Sequence, residues 1–126
     1  MKGLVITTEN KMQVREFGEP AYETIGKAVG GWIEVVHPKG LPDPFCMVVN
    51  EEGLLQNLPW NLFGSFLYGT IYHGNPILGD IVLLKDGYTD AGERDLIGLD
   101  EEDIKFLGAM AISESGGDIK WESEGQ

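Results

Sequence analysis

The sequence has few of the residues from which catalytic and metal sites are usually built. It contains one cysteine and two histidines among 126 residues, so no disulfide can form within the chain. Cys46 lies in the apolar run FCMVV, a setting that favours a buried and inert thiol over a nucleophile. The histidines and the cysteine lack the spacing of zinc ligands, and the sequence has no phosphate-binding glycine loop or nucleophile elbow. We therefore expect no enzyme activity, no metal and no cofactor.

Long apolar segments are missing as well. No stretch approaches the length that a membrane-spanning helix requires, and the first ten residues lack the apolar centre of a signal peptide. These absences predict a cytoplasmic protein that does not bind membranes.

Positive charge is also scarce. The chain has 9 basic and 21 acidic residues, which gives a net charge of -12. Such a charge opposes direct binding to nucleic acid or to an anionic membrane. We expect the partner to be a basic surface, a cation, or a ligand held in a pocket whose local field differs from that of the whole protein.

The apolar residues that are present form short runs separated by turn residues. Runs typical of strands occupy residues 2–7, 11–17, 32–36, 45–49, 70–73 and 81–84. The run at 45–49 is nearly continuous, as expected of a central strand with both faces covered. Residues 54–56 suit a further short strand, whereas 85–99 are rich in glycine and acidic residues and predict a surface loop.

Helical spacing is found in three segments. They comprise residues 21–29, a short segment that begins after the N-cap Asn61, and a segment from Asp100 to about 112. Residues 113–126 are polar and acidic apart from Ile119 and Trp121, so we interpret them as a flexible tail that is dispensable for folding.

The order of these elements predicts an α+β fold in which two or three short helices cover one side of a mainly antiparallel sheet. Residues 1–112 form the single expected domain. A doubly wound parallel sheet is disfavoured because most strand pairs lack a crossover helix.

Three stretches resemble a known family when they are taken together. GGWIEVV at 30–36, VVNEEGLLQNLPWN at 48–61 and ILGDIVLL at 77–84 are similar to a DUF3846-like family of small uncharacterised phage and plasmid proteins. The resemblance covers about residues 1–107, while the proline-rich loop after Val36 and the acidic C-terminus depart from it. It implies a phage or mobile-element accessory protein in the host cytoplasm, and it brings no catalytic residues.

Such accessory proteins commonly blunt host defence, which leads to a first hypothesis. The chain would sequester a nucleotide-like immune signal in pockets between the protomers of a homo-oligomer. The pocket needs aromatic faces for a base, amides for its edges and a few cations for phosphate. The residues expected to supply these groups are Arg15, Lys27, Trp32, Asn50, Glu51, Trp60, Asn61 and Tyr72.

The second hypothesis is an acidic mimic of nucleic acid that inhibits a host nuclease or restriction complex, a basic defence protein, by protein–protein binding. Its support is the net charge, with acidic clusters at 86–95, 100–103 and 114–124. High salt should weaken such a decoy strongly, whereas a pocket binder should keep most of its affinity.

One geometric prediction distinguishes a site from scattered structural residues. Antiparallel pairing of the 32–36 and 45–49 strands places Asn50 next to Trp32. We expect Trp32, Asn50, Glu51 and Asn61 to lie near one another at a pocket or at a subunit interface. The alternative is that Asn50 only makes the turn and Asn61 only caps the helix.

Overall fold

The computed structural model describes residues 1–122 as seven strands and four helices. The strands are β1 (Lys2–Ile6), β2 (Lys11–Glu16), β3 (Ile33–Val36), β4 (Phe45–Asn50), β5 (Ile81–Tyr88), β6 (Arg94–Ile97) and β7 (Lys120–Trp121). The helices are α1 (Ala21–Val29), α2 (Leu62–Tyr68), α3 (Thr70–His73) and α4 (Glu101–Glu114).

All seven strands belong to one sheet. Its order is β3-β4-β5-β1-β2-β7, and β6 pairs with the C-terminal part of β5. Every pairing is antiparallel except that of β2 with β7. The expected α+β fold with a mainly antiparallel sheet is thereby confirmed. Strand β3 lies at one edge of the sheet, so its outer side faces the solvent in this chain.

The helices lie on both faces of the sheet. Alternate residues of β4 and β5 pack with α1 on one face, which we call the α1 face, and with α2 and α4 on the other, the α4 face. The expectation that helices cover one side is therefore wrong. The reason is visible in β4, where all six residues are buried, because an apolar run of this kind needs a cover on each face.

The predicted helix ends are present. Helix α1 ends at Gly30, whose φ of 91° is the left-handed conformation that suits glycine. Asn61 caps α2 by accepting a hydrogen bond from the backbone N–H of Gly64. Asp100 and Asp103 cap α4 reciprocally, each side chain accepting from the other residue's backbone N–H.

Three local predictions are wrong. Residues 70–73 form the helix α3, which follows the left-handed Gly69, and residues 54–56 lie in a turn. The predicted loop at 85–99 is instead a hairpin formed by the end of β5 and by β6. Contacts that composition does not show stabilise this hairpin, since Leu96 is buried and Arg94 binds Asp86.

The C-terminal segment is also different from the prediction. Helix α4 extends to Glu114, β7 pairs with β2, and Ile119 is only 1% exposed. Trp121 packs so closely on α4 that a Cβ at Gly108 would lie 2.5 Å from its ring. The boundary at 112 and the flexible tail are therefore wrong for residues 113–122, and residues 123–126 lie outside the described residues.

Candidate ligand-binding groove

A groove of about 770 Å³ lies on the α1 face, between the exposed side of α1, the start of β3 and the turn after β4. We call it the α1 groove. Its volume is within the range of typical small-molecule sites, roughly 300–1,000 Å³. The groove is open to solvent on one side.

Two aromatic side chains border the α1 groove. Tyr22 projects from the first turn of α1 and is 62% exposed, and Trp32 precedes β3 and is 75% exposed. The backbone of Trp32 is nevertheless fixed, because its carbonyl accepts a hydrogen bond of 2.8 Å from the N–H of Glu51. The groove therefore presents two ring faces on an ordered backbone.

Glycines keep part of the wall of the groove free of side chains. The backbone N–H groups of Gly30 and Gly31 both donate to the carbonyl of Gly26 at the end of α1. A Cβ at Gly26 would lie 2.9 Å from the carbonyl oxygen of Gly31, so only glycine allows this close approach. This part of the wall is consequently backbone, which a ligand can approach closely, while side chains line the rest of the groove.

Asn50 supports the groove from below. Its Nδ2 donates to the carbonyl of Val29 at 3.1 Å and to Oε1 of Gln56 at 2.8 Å, while its Oδ1 accepts from the N–H of Glu52. These bonds tie the end of α1 to the turn after β4. The Asn50 amide is 6% exposed and occupied internally, so its role is structural and Gln56 is the amide at the groove.

The charged lining of the α1 groove is mixed. Lys27 on α1 is the cation, and Glu23 and Glu52 are the two carboxylates. None of the three forms a salt bridge within residues 1–122. The groove is thus slightly acidic, which limits how much negative charge a ligand can carry there.

A family model described as a domain of unknown function (DUF3846) matches residues 1–111 of the chain. The chain belongs to this family. No curated protein and no solved structure matches the chain. The family description assigns no activity, so the function of this DUF3846 chain has to be inferred from its own residues.

The α1 groove unites some of the predicted site residues of this DUF3846 chain. Lys27 and Trp32 line it, Asn50 lies directly beneath it, and Glu51 is bonded to the Trp32 backbone. Asn61 is elsewhere, with its amide buried and bonded to the carbonyls of Ile6 and Gly79 and to the helix α2. The prediction that Asn61 lies with the other three at one pocket is wrong, because this amide holds the core together.

The remaining predicted residues lie away from the α1 groove. Arg15 on β2 donates from Nε to the side chain of Gln13, and Trp60 pairs with Leu78 in an isolated bridge. Tyr72 lies on α3 and is 91% exposed. These positions do not form a common site.

Tyr72 borders a second groove, of about 720 Å³, between α3 and the loop after β3. The imidazole of His73 is engaged there, because Nε2 lies 3.0 Å from the carbonyl of Tyr68 and Nδ1 accepts from the N–H of Asn75. A carbonyl only accepts, so His73 is the neutral tautomer with its proton on Nε2. Lys39 and Glu114 both line this second groove, so their opposite charges leave no net positive charge that would attract an anion.

A further polar cluster was not predicted from the sequence. Asp86 on β5 binds Arg94 on β6 through two nitrogens, and His37 contacts the same carboxylate at 2.6 Å. Arg94 and His37 hold the pKa of Asp86 below its usual value. His37 is far from Asp86 in sequence, whereas Arg94 is only 8 residues away and reaches the same face through the register of β5 with β6. A correct prediction of that hairpin from the sequence would have indicated this cluster.

Two other expectations concern single features. Cys46 is fully buried on β4, and burial raises the pKa of its thiol to about 12, as the apolar run predicted. No helix among residues 1–122 has both the length and the apolar character needed to cross a membrane.

Proposed function

We propose that this protein binds a nucleotide-like small molecule in the α1 groove and sequesters it without chemical change. The observation that carries the proposal is the pair of largely exposed rings, Tyr22 and Trp32, beside a groove whose wall is partly glycine backbone. A planar base stacks on such rings, and the strength of stacking depends little on which nucleobase it is. Each stacked base contributes about 1–3 kcal/mol to binding.

The groove is supported before any ligand arrives. The Asn50 amide fixes the end of α1 to the turn after β4, and the Glu51 N–H fixes the Trp32 backbone. A fixed groove lowers the conformational entropy that binding would otherwise cost. Sequestration requires only affinity for the ligand, and it needs no catalytic acid, base or nucleophile.

The charges of the groove restrict the ligand. Lys27 can pair with one phosphate, but Glu23 and Glu52 oppose a chain of phosphates. We therefore place the larger part of the affinity in the ring and its attached polar groups. In the phage or plasmid setting that the resemblance implies, the ligand would be a signal of host immunity.

The mouth of the groove favours self-association. Leu54 and Leu55, in the turn that carries Glu52 and Gln56, are 75% and 86% exposed. These two neighbouring leucines form an exposed apolar surface, which we call the turn surface, of the kind that protein interfaces cover. The proposal therefore includes a homo-oligomer whose protomers meet beside the groove.

The test is a binding titration with a panel of nucleosides, mononucleotides and cyclic dinucleotides. Trp32→Ala should weaken the binding of any active compound by about tenfold or more, because it removes one stacking face. Trp60→Ala is the matched control, since Trp60 is 53% exposed and does not line the groove. Equal affinity for wild type and Trp32→Ala, or no binding by the whole panel, would contradict the proposal.

The acidic-mimic alternative has weaker support. Asp86 is paired with Arg94, Asp103 with Lys85, and Asp100 caps α4, so the negative charge of these carboxylates is compensated within the chain. A mimic needs carboxylates whose negative charge is available to a basic groove. Binding to a basic protein that falls steeply between 50 and 200 mM salt, in the manner of phosphate contacts, would favour this alternative.

A further inference from the structure

A smaller polar cavity adjoins the α1 groove. It measures about 260 Å³, and Tyr22, Val35, His37, Asp86 and Arg94 are among its lining residues. Tyr22 also lines the α1 groove, so the two spaces meet at this ring. We call the smaller space the polar cavity.

The two spaces follow the same side of strand β3. Ile33 and Val35 alternate along the strand and both pack against the core of the α1 face. Ile33 lines the α1 groove, Val35 lines the polar cavity, and His37 follows two residues later. From Ile33 to His37 the strand direction covers about 13 Å. A single ligand can therefore lie along β3 with one part in each space.

The polar cavity offers both donors and acceptors on a fixed frame. Arg94 uses Nε and Nη2 on Asp86, and His37 uses Nε2, so within residues 1–122 Arg94 Nη1 and His37 Nδ1 have no hydrogen-bond partner. Asp95 is a further lining residue, and its carboxylate accepts a hydrogen bond from the N–H of Leu96.

The charges of this frame nearly cancel. Arg94 is opposed by the carboxylate of Asp86, so a phosphate gains little from entering the polar cavity. The polar cavity suits a pair of neighbouring hydroxyl groups better than a phosphate, because a hydroxyl both donates to a carboxylate and accepts from a guanidinium. A carboxylate that binds ribose hydroxyls is the device used by dinucleotide-binding folds.

We infer that the polar cavity holds the sugar of the ligand, with its vicinal hydroxyls on the carboxylate of Asp86 and the guanidinium of Arg94. The inference depends on the proposed function of the α1 groove, where the base lies between Tyr22 and Trp32. The ligand class is then a ribonucleoside, or a nucleotide with few phosphates, that keeps both ribose hydroxyls free.

The first test uses wild-type protein and matched pairs of the four ribonucleosides and their 2′,3′-dideoxy forms. Loss of two hydroxyls that bond to charged groups should weaken binding by about tenfold or more. Equal affinity of the two forms, with Trp32→Ala still weakening both, would overturn the inference and leave the proposed function intact. No binding by any member of the panel would overturn both.

The second test is made on the protein. Arg94→Gln removes one hydroxyl donor and should reduce the ribo-to-dideoxy difference to about threefold or less. Lys39→Gln, an equal change of charge outside the polar cavity, should leave that difference at its wild-type value. Melting temperatures of both variants establish that the folded state is compared. An unchanged difference in Arg94→Gln would overturn the role of the polar cavity.

Discussion

The two faces of the sheet are covered to different extents. The α4 face is covered by α2 and α4 and by Ile119, which precedes β7, and it contains the larger cluster of buried side chains among the described residues. The α1 face carries one helix of nine residues, which leaves the side of edge strand β3 only partly covered. The larger core therefore lies on one face and the α1 groove on the other. Substitutions on the two faces should accordingly have different consequences.

The largest expected effect is on the α4 face. Ile119→Ala should lower the free energy of unfolding by about 2–5 kcal/mol, because it leaves a cavity in a packed core. Urea denaturation measures this loss. Ile71→Ala is the matched control, since Ile71 is 89% exposed, and it should change the free energy by about 0.5 kcal/mol or less. Equal stability of Ile119→Ala and wild type would show that residues 113–122 are a tail that does not stabilise the fold.

Asn61 should show a structural effect of similar kind. Asn61→Ala removes the cap of α2 and leaves the carbonyls of Ile6 and Gly79 without their donor, so we expect a loss of about 2–4 kcal/mol. Asn75→Ala, in an exposed turn, should remain close to wild type in the same urea titration. Loss of ligand affinity in Asn61→Ala at unchanged stability would contradict the structural assignment.

The contrast between Asn61 and Trp32 shows where prediction from the sequence ends. Helix caps, the β1–β2 hairpin and the central strand β4 follow from local patterns, and the structure has all of them. The docking of Ile119 depends on partners distant in sequence, which local patterns do not encode. The hairpin of β5 with β6 is local, but the glycine and acidic residues of 85–99 are typical of a loop. The same holds for the site, since Trp32 and Lys27 are local neighbours of the groove while the Asp86 cluster is assembled by strand register.

Acid should weaken the ion pairs on both faces. Burial tends to raise the pKa of Asp103, but hydrogen bonds from Lys85 and from the backbone N–H of Asp100 hold it below its usual value. A lowered folded-state pKa contributes stability above the unfolded pKa of about 3.9, and this stability is lost as the pH falls through the folded value.

Urea denaturation midpoints measured between pH 6 and pH 2 test whether stability falls in acid, as the lowered pKa of Asp103 predicts. The midpoint should fall over the acid range, and Asp103→Asn should be less stable than wild type at pH 6 but approach it near pH 2. Asp90→Asn, at an exposed residue without an ion pair among the described residues, should follow the wild-type curve. A gap between Asp103→Asn and wild type that widens toward acid would show that the sign is wrong.

The smallest expected change in stability accompanies a change in assembly. Light scattering should give the wild type at least twice the mass of one chain. Leu55→Glu should reduce this mass to that of one chain, because it places a charge in the turn surface without disturbing the core. Ile71→Glu, an equal change on α3, should leave the assembly intact. A monomeric wild type at high concentration would remove the oligomer from the proposal.

The most direct measurement of the central claim is native mass spectrometry of protein purified from infected host cells, the setting that the resemblance implies. Wild type should carry the added mass of a small molecule, and denaturation should release a compound with a nucleobase. Trp32→Ala should lose that mass, whereas Trp60→Ala should keep it, because only Trp32 borders the α1 groove. An identical ligand-free spectrum for wild type and Trp32→Ala would contradict the account.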